Sequence, residues 1–279
     1  MKKINWAILI SLTLLSMSLI TYQVLIDYVD FDESMKKNEY MHIVKQNNFF
    51  ERTYNLLKQL YEKNNPQKIK QNNTIRIPKI IHQIWLGSPF PEKYKQWQAS
   101  WKEKHSDWDY KLWTDADVAT FNFINKKLFD AATNYGEKSD IWRYEILEQY
   151  GGVYVDTDFE CLKALDILHY MYDFYIGIQP LDTNIVQLGI GIIGSIPHHP
   201  LLKQAIKQLP VYQSKKQIIL KTGPIFFTNI FLNYMNRFDY LDIALPATYF
   251  YPLGYIKKDD GWQKSESFAV HHWEGSWLK

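Results

Sequence analysis

Residues 138–158 read Lys138-Ser139-Asp140-Ile141-Trp142-Arg143-Tyr144-Glu145-Ile146-Leu147-Glu148-Gln149-Tyr150-Gly151-Gly152-Val153-Tyr154-Val155-Asp156-Thr157-Asp158. Asp140, Arg143, Tyr144 and Leu147 recur at i, i+3, i+4 and i+7, which predicts one face of a helix. Gly151-Gly152 supplies the break that a helix C-terminus and a tight turn require. Val153-Tyr154-Val155 is then a short, apolar, β-prone strand, and it runs out into two acids one residue apart. Because strand side chains alternate, both acids can leave the sheet on the same side. Two hard oxygen donors held that way suit Mg²⁺ or Mn²⁺, and the metal in turn can hold a diphosphate. A bare Asp-x-Asp is more often a solvated turn. The charged helix and the glycine pair before it make this one a candidate site.

The pattern outward from this stretch is α/β. Ile77 to Leu86 is a first strand ended by Gly87-Ser88-Pro89, and Tyr110-Lys111-Leu112-Trp113 is a second. Thr114 is a good N-cap, with Asp115 and Asp117 read as acids of the following helical turn. Two more strands fit Phe174 to Ile178 and Leu188 to Ile193, and helices enter at Pro200 and at Thr222-Gly223-Pro224. Strands alternating with helices predict a sheet flanked by helices, with ligands at the carboxyl ends of the strands. Trp85-Leu86-Gly87 and Asp156-Thr157-Asp158 both fall at such ends.

Two further blocks carry a likeness, Ile77-Pro78-Lys79-Ile80-Ile81-His82-Gln83-Ile84-Trp85-Leu86-Gly87 and His271-His272-Trp273-Glu274-Gly275-Ser276-Trp277. With them, residues 75–279 resemble the DXD glycosyltransferases. That family includes fungal α-1,6-mannosyltransferases, mannosyl-inositol-phosphoceramide synthase subunits and bacterial capsule or lipopolysaccharide sugar transferases. The resemblance implies a single glycosyltransferase-A type domain, a Rossmann-like mixed sheet flanked by helices. It also implies a metal-dependent enzyme that uses a nucleotide sugar and retains the anomeric configuration.

The resemblance also implies roles. Trp85 would stack the nucleotide base, and Gly87 would let the backbone approach the ligand. Asp140 and Arg143 would grip donor-sugar hydroxyls; their plainer reading is an i, i+3 surface ion pair. Tyr144 and Leu147 would anchor the helix to the sheet, and Tyr154 would flank the base or simply pack. Asp156 and Asp158 would hold Mn²⁺ or Mg²⁺, joined by His271, with His272 the second choice. The Ser276 hydroxyl and Trp277 indole N–H would donate to the leaving diphosphate, where charge develops. His82 is either a site residue or a hydrogen-bonded core histidine. In one respect the chain departs from the pattern: Leu188-Gly189-Ile190-Gly191-Ile192-Ile193 stands where similar enzymes often carry an asparagine, with Gln187 or Asn184 as substitutes.

Composition narrows the class. A net charge of +2 without a long basic run argues against nucleic acid as a partner. The one cysteine, Cys161, excludes an intrachain disulfide framework and a cysteine-rich zinc site, and reads as a small apolar filler. Met1-Lys2-Lys3 precedes a largely apolar run over residues 4–26, long enough at about 1.5 Å per residue for a ~30 Å hydrocarbon layer. Lysines before it and Asp27, Asp30, Asp32 and Glu33 after it predict a cytoplasmic N-terminus. The rest of the chain would then lie across the membrane, in a Golgi or ER lumen or outside the cell, although the opposite orientation stays open. Cleavage near Ser16-Met17-Ser18 is the rival reading, and Asn72-Asn73-Thr74 is a glycosylation acceptor if the space is a secretory lumen.

The expected organisation is a cytoplasmic tip and transmembrane anchor over 1–26, a stem over 27–74 and a catalytic domain over 75–279. The expected activity is membrane-anchored hexosyl transfer from a UDP- or GDP-sugar, GDP-mannose among them, to a glycan or glycolipid hydroxyl. A non-catalytic nucleotide-sugar-binding membrane protein and a nucleotide-sugar hydrolase are the alternatives.

Overall fold

The computed structural model describes residues 28–69, 74–179, 181–183, 185–235, 237, 239–258 and 262–276. Three helices come first: α1 (Phe31–Ser34), α2 (Lys37–Val44) and α3 (Asn48–Asn64). Then follow β1 (Ile80–Ile84), α4 (Lys95–Lys104), β2 (Asp109–Trp113), α5 (Lys126–Ala131), α6 (Tyr135–Tyr150), β3 (Gly152–Val155) and β4 (Phe159–Cys161). The chain continues through α7 (Asp166–Met171), β5 (Phe174–Ile178), β6 (Leu188–Ser195) and α8 (Pro200–Tyr212). It closes with α9 (Ile218–Lys221), α10 (Pro224–Tyr234), β7 (Asp242–Leu245) and β8 (Ala269–His271).

Six strands form one mixed sheet in the order β2-β1-β3-β6-β5-β7, and β4 and β8 form a separate two-stranded ladder. β1 runs parallel to both β2 and β3, whereas β6 is antiparallel to β3 and β5. Strands β3, β5, β6 and β7 are buried along their whole length, which is why they read as apolar runs rather than alternating ones.

Helix α6 begins where Asn134 accepts the N–H groups of Gly136 and Glu137 through Oδ1, at 2.7 and 3.3 Å. It ends at Gly151, with φ +64°, whose N–H donates to Leu147 O at 3.0 Å. Gly152 has φ +87°, and a Cβ there would stand 2.5 Å from Ile80 O. The two glycines thus turn the chain from helix to strand inside the sheet. The helix is internal on nearly every side rather than on one face, with Trp142 among Trp113, Phe121 and Phe129. Tyr144 stacks on Phe227 and donates to Thr222 O at 2.7 Å, so it anchors α6 to the α9–α10 segment and not to the sheet.

The described part of 27–74, expected to be a stem, contains α1, α2 and α3, and α3 packs on the sheet. Tyr54, Leu57, Leu60 and Tyr61 of α3 are buried in the same apolar core as β5 and β6. Asn64 Nδ2 donates to Asp242 O at 2.8 Å, and Tyr172 OH donates to Asn64 O at 3.0 Å. The physical reason is the sheet edge: β7 is the last strand, and α3 covers it. Among the described residues no helix is long and apolar enough to cross a membrane. The apolar run at 4–26, Asn72, Asn73, Asn184 and Trp277 lie outside the described residues.

Candidate metal and donor site

Strand β3 delivers Asp156 to the middle of the sheet's carboxyl edge. The Asp156 N–H donates to Gly191 O of β6 at 2.7 Å, and Gln83 Nε2 of β1 donates to Asp156 O at 3.3 Å. A turn follows, with Phe159 N–H to Asp156 O at 3.1 Å, and the chain enters β4. There β8 pairs antiparallel, Phe159 opposite His271. This small ladder carries His271 to the acids from more than a hundred residues away. His271 Nε2 lies 3.1 Å from Asp158 Oδ1, and Glu274 N–H donates to Asp158 Oδ2 at 2.9 Å.

One ligand atom from each of Asp156, Asp158 and His271 falls within 4.8 Å of the others. Two carboxylates and an imidazole are a donor set that Mn²⁺ or Mg²⁺ accepts. Among the described residues His271 Nδ1 is buried without a hydrogen-bond partner, and the ring is packed between Phe159 (4.5 Å, 20°) and Trp273 (4.2 Å). The residues fit a divalent cation.

Burial raises the Asp156 carboxyl, with Arg143 pulling against it and Asp158 adding to the rise. Burial acts the same way on Asp158, but the charge and hydrogen bond of His271, helped by the Glu274 N–H, outweigh it and hold that carboxyl at about 2. The two acids are thus pushed apart, as neighbouring carboxylates are.

Asp140 and Arg143 are a buried pair, 6 % and 4 % exposed, so the surface ion-pair reading does not hold. Arg143 Nη2 lies 3.0 Å from Asp140 Oδ1, and Thr222 Oγ1 donates to Asp140 Oδ2 at 2.9 Å. Burial pushes Asp140 up to about 7, with Arg143 and Thr222 opposing it. Tyr154 is 1 % exposed, with its ring 4.3 Å from the Arg143 guanidinium and its hydroxyl donating to Asp156 Oδ1 at 2.6 Å. It therefore packs; as a flank for a nucleotide base it is covered.

Trp85 is half-buried where β1 yields to its loop, with Nε1 donating to Ser88 Oγ at 3.0 Å. Its ring meets Tyr94 at 5.1 Å, Tyr94 meets Trp97, and Trp97 stacks on His272 at 4.3 Å and 12°. This aromatic row joins the Trp85 loop to the residue beside His271. His272 itself pairs with Glu160 at 3.0 Å, so it is His271 and not His272 that lies with the two acids. Gly87 is exposed, and its N–H donates to Asp115 Oδ2 at 2.8 Å, so Asp115 holds the loop while Asp117 closes a capping box with Thr114. His82 is a core residue: its Nε2 lies 3.0 Å from Gly151 O, and Trp113 Nε1 donates to its Nδ1 at 3.2 Å. Ser276 is exposed at the end of the described segment. Gln187 is turned inward, bonded to the Gln179 side chain.

Sequence reasoning missed Trp97, the Lys93–Glu274 ion pair at the same wall, Thr222 beneath Asp140, and the Ser139–Tyr154 link at 3.1 Å. Ser139 and Arg143 at i, i+4, and Tyr154 and Asp156 at i, i+2, were readable neighbours. Trp97 and Thr222 carry no local signal, since only the fold brings them in.

Residues 91–175 match the family described as "Glycosyltransferase sugar-binding region containing DXD motif". The match holds Asp140, Arg143, Asp156 and Asp158, and contains neither Trp85 nor His271. Inositol phosphoceramide mannosyltransferase 3 of Schizosaccharomyces pombe is 28% identical over 228 residues, 74% of this chain and 62% of that protein. Mannosyl phosphorylinositol ceramide synthase SUR1 of Saccharomyces cerevisiae is 34% identical over 169 residues, 57% of this chain and 42% of that one. The chain spans less than two thirds of the length of either relative. Among solved structures, the PaToxG glycosyltransferase matches with a TM-score of 0.50 at 18% identity, over 66% of this chain and 80% of that chain. That likeness carries the fold, a mixed central sheet of the glycosyltransferase-A kind.

Proposed function

Starting from a chain whose residues 91–175 match the DXD-containing sugar-binding region of glycosyltransferases, we propose a metal-dependent, retaining hexosyltransferase. It takes a UDP- or GDP-sugar as donor and a glycan or glycolipid hydroxyl as acceptor. The observation that carries this reading is the convergence of Asp156 and Asp158 with His271 within 4.8 Å, across a ladder that local sequence does not require. Asp156, Asp158 and His271 would hold Mn²⁺ or Mg²⁺. When bound, the cation supplies charge neutralisation for the leaving diphosphate. Trp85 would take the base, at the far end of the aromatic row. Ser276 and Trp277 would donate to the diphosphate. Retention comes from the family resemblance, and no nucleophile is assigned.

The fission-yeast relative is named an inositol phosphoceramide mannosyltransferase, which makes GDP-mannose and an inositol phosphoceramide the first donor and acceptor to test. The run at 4–26 would anchor the chain with the domain on the far side of the membrane, within reach of a lipid acceptor. The experiment is nucleoside diphosphate release from a panel of UDP- and GDP-sugars, with Mn²⁺, Mg²⁺ or EDTA, and with or without acceptor vesicles. Mass spectrometry identifies the product. Transfer that needs metal and acceptor is expected. Full activity in EDTA removes the metal, equal release without acceptor makes the protein a hydrolase, and no release or transfer with any donor leaves a binding protein.

A further inference from the structure

Glu137, Asp140 and Tyr144 stand at i, i+3 and i+7 on one face of α6, and all three hold the corner between α9 and α10. Lys221 Nζ lies 2.5 Å from Glu137 Oε1, Thr222 Oγ1 donates to Asp140 Oδ2 at 2.9 Å, and Tyr144 OH donates to Thr222 O at 2.7 Å. Thr222 is fully buried. The N–H groups of Thr222 and Gly223 both donate to Ile218 O, at 3.0 and 2.9 Å, and Pro224 opens α10 with no N–H to satisfy. The main-chain bonds alone fasten the corner. The hydroxyl goes instead to the acid that stands beside Arg143. A carboxylate offers about four acceptor sites. Asp140 turns Oδ1 to Arg143 Nη2 at 3.0 Å and Oδ2 to Thr222, and its side chain keeps 9 % exposure. Lone pairs therefore remain for hydroxyls arriving at that rim.

We infer that Thr222 is a positioning residue for the donor sugar: its hydroxyl fixes the plane of the Asp140 carboxylate, so that Asp140 and Arg143 present one set geometry to the sugar hydroxyls. The inference rests on the transferase reading, in which those two residues grip the donor sugar. Glu137 and Tyr144 hold Lys221 and the Thr222 carbonyl, so the corner cannot swing away from the acid. Burial works against a charge on Asp140, and the Thr222 hydroxyl opposes that effect. Without the hydroxyl a buried carboxylate oxygen is left unpartnered, which is costly. The acid then turns or takes up a proton, and in both cases the grip loosens. Among the described residues no hydrogen bond or ion pair joins Thr222 to Asp156, Asp158 or His271, so metal and diphosphate binding should not depend on it.

The test uses the full chain with Mn²⁺ present. Calorimetric titration measures UDP and GDP affinity, and steady-state turnover is followed with whichever UDP- or GDP-sugar the wild-type chain uses fastest. Thr222→Val keeps the side-chain shape and deletes the hydroxyl, whereas Thr222→Ser keeps the hydroxyl. In Thr222→Val, kcat/KM for the donor should fall about 10–100-fold, the scale of a misplaced contact, with nucleoside diphosphate affinity at the wild-type value. Thr222→Ser should recover most of the turnover. In an Asp140→Ala background no carboxylate is left to position, so adding Thr222→Val should cost nothing further. Tyr144→Phe keeps the stack on Phe227 and frees the Thr222 carbonyl. It should lower turnover in the same direction with nucleotide affinity intact, and it decides the matter if Thr222→Val does not fold. Wild-type kcat/KM in Thr222→Val, or in Tyr144→Phe where that variant stands alone, overturns the inference. So do a loss that Thr222→Ser shares in full, a loss that adds to that of Asp140→Ala, and a parallel loss of nucleotide affinity. If the wild-type chain turns over no UDP- or GDP-sugar, the transferase reading fails first and takes this inference with it.

Discussion

At the scale of single residues, the two acids of the site do different work. Asp158 accepts Glu274 N–H and meets His271, so its replacement Asp158→Asn keeps an oxygen for the first contact while removing the charge. Divalent-ion-dependent nucleotide binding and activity should be abolished, whereas the melting temperature should stay close to wild type; retained binding in this variant would argue that the metal sits elsewhere. His82 makes the opposite case, a histidine whose chemistry is structural. Trp113 Nε1 donates to its Nδ1, so the ring proton sits on Nε2 and is given to Gly151 O. Burial lowers its pKa to about 4. His169 is likewise lowered by burial, to about 3. A histidine held neutral in the fold contributes stability that is present in full above its unfolded pKa near 6.5. That stability is lost as pH falls from there toward 4, by on the order of 3 kcal/mol for His82. His82→Gln can both donate and accept without titrating, so unfolding free energy measured from pH 7 to 4 should fall less steeply in the variant. Equal slopes would mean that His82 titrates normally.

Elements carry the next two predictions. Phe49, Phe50, Tyr54, Leu57, Leu60 and Tyr61 recur at helical spacing along α3, but nothing local says what that apolar face meets. In the fold it meets β7 and the core, with Leu57 fully buried. Leu57→Ala should therefore cost about 2–5 kcal/mol in denaturant unfolding, the range for a core leucine. A stem separate from the domain predicts almost no change. Strand β6 shows the converse, a departure in sequence with a local geometric reason. Gly191 sits beside Asp156 Oδ2 and 2.9 Å, at its missing Cβ, from Phe159 Cε2. Gly191→Ala must push the acid or the ring aside, and Asp156 is already pinned by Tyr154 and Arg143. Nucleotide-sugar turnover should fall by about tenfold or more, since misplacing a reacting centre by an ångström can cost 10²-fold. Wild-type kinetics in Gly191→Ala would show that the floor of the site has slack.

On the scale of the whole molecule, the sequence by itself determined a good deal: the α/β class, the places of β1, β2, β3, β5 and β6, the glycine pair that turns α6 into β3, and the two acids at that strand's end. These follow from short-range rules, because alternation, helical spacing and left-handed turns are properties of neighbouring residues. It also marked His271 as a distant candidate, though only through resemblance. Only the tertiary structure decided which residues converge. The β4–β8 ladder brings His271 to Asp158, and the antiparallel register of β3 on β6 sets Asp156 against Gly191. The same packing turned an apparent surface pair, Asp140 and Arg143, into a buried one, and turned Tyr154 from a candidate ligand contact into a covered support. It also drew a segment that reads as a stem into the core. Burial and partner choice depend on what lies across the sheet, and pairings separated by a hundred residues leave no period in the chain for a reader to find.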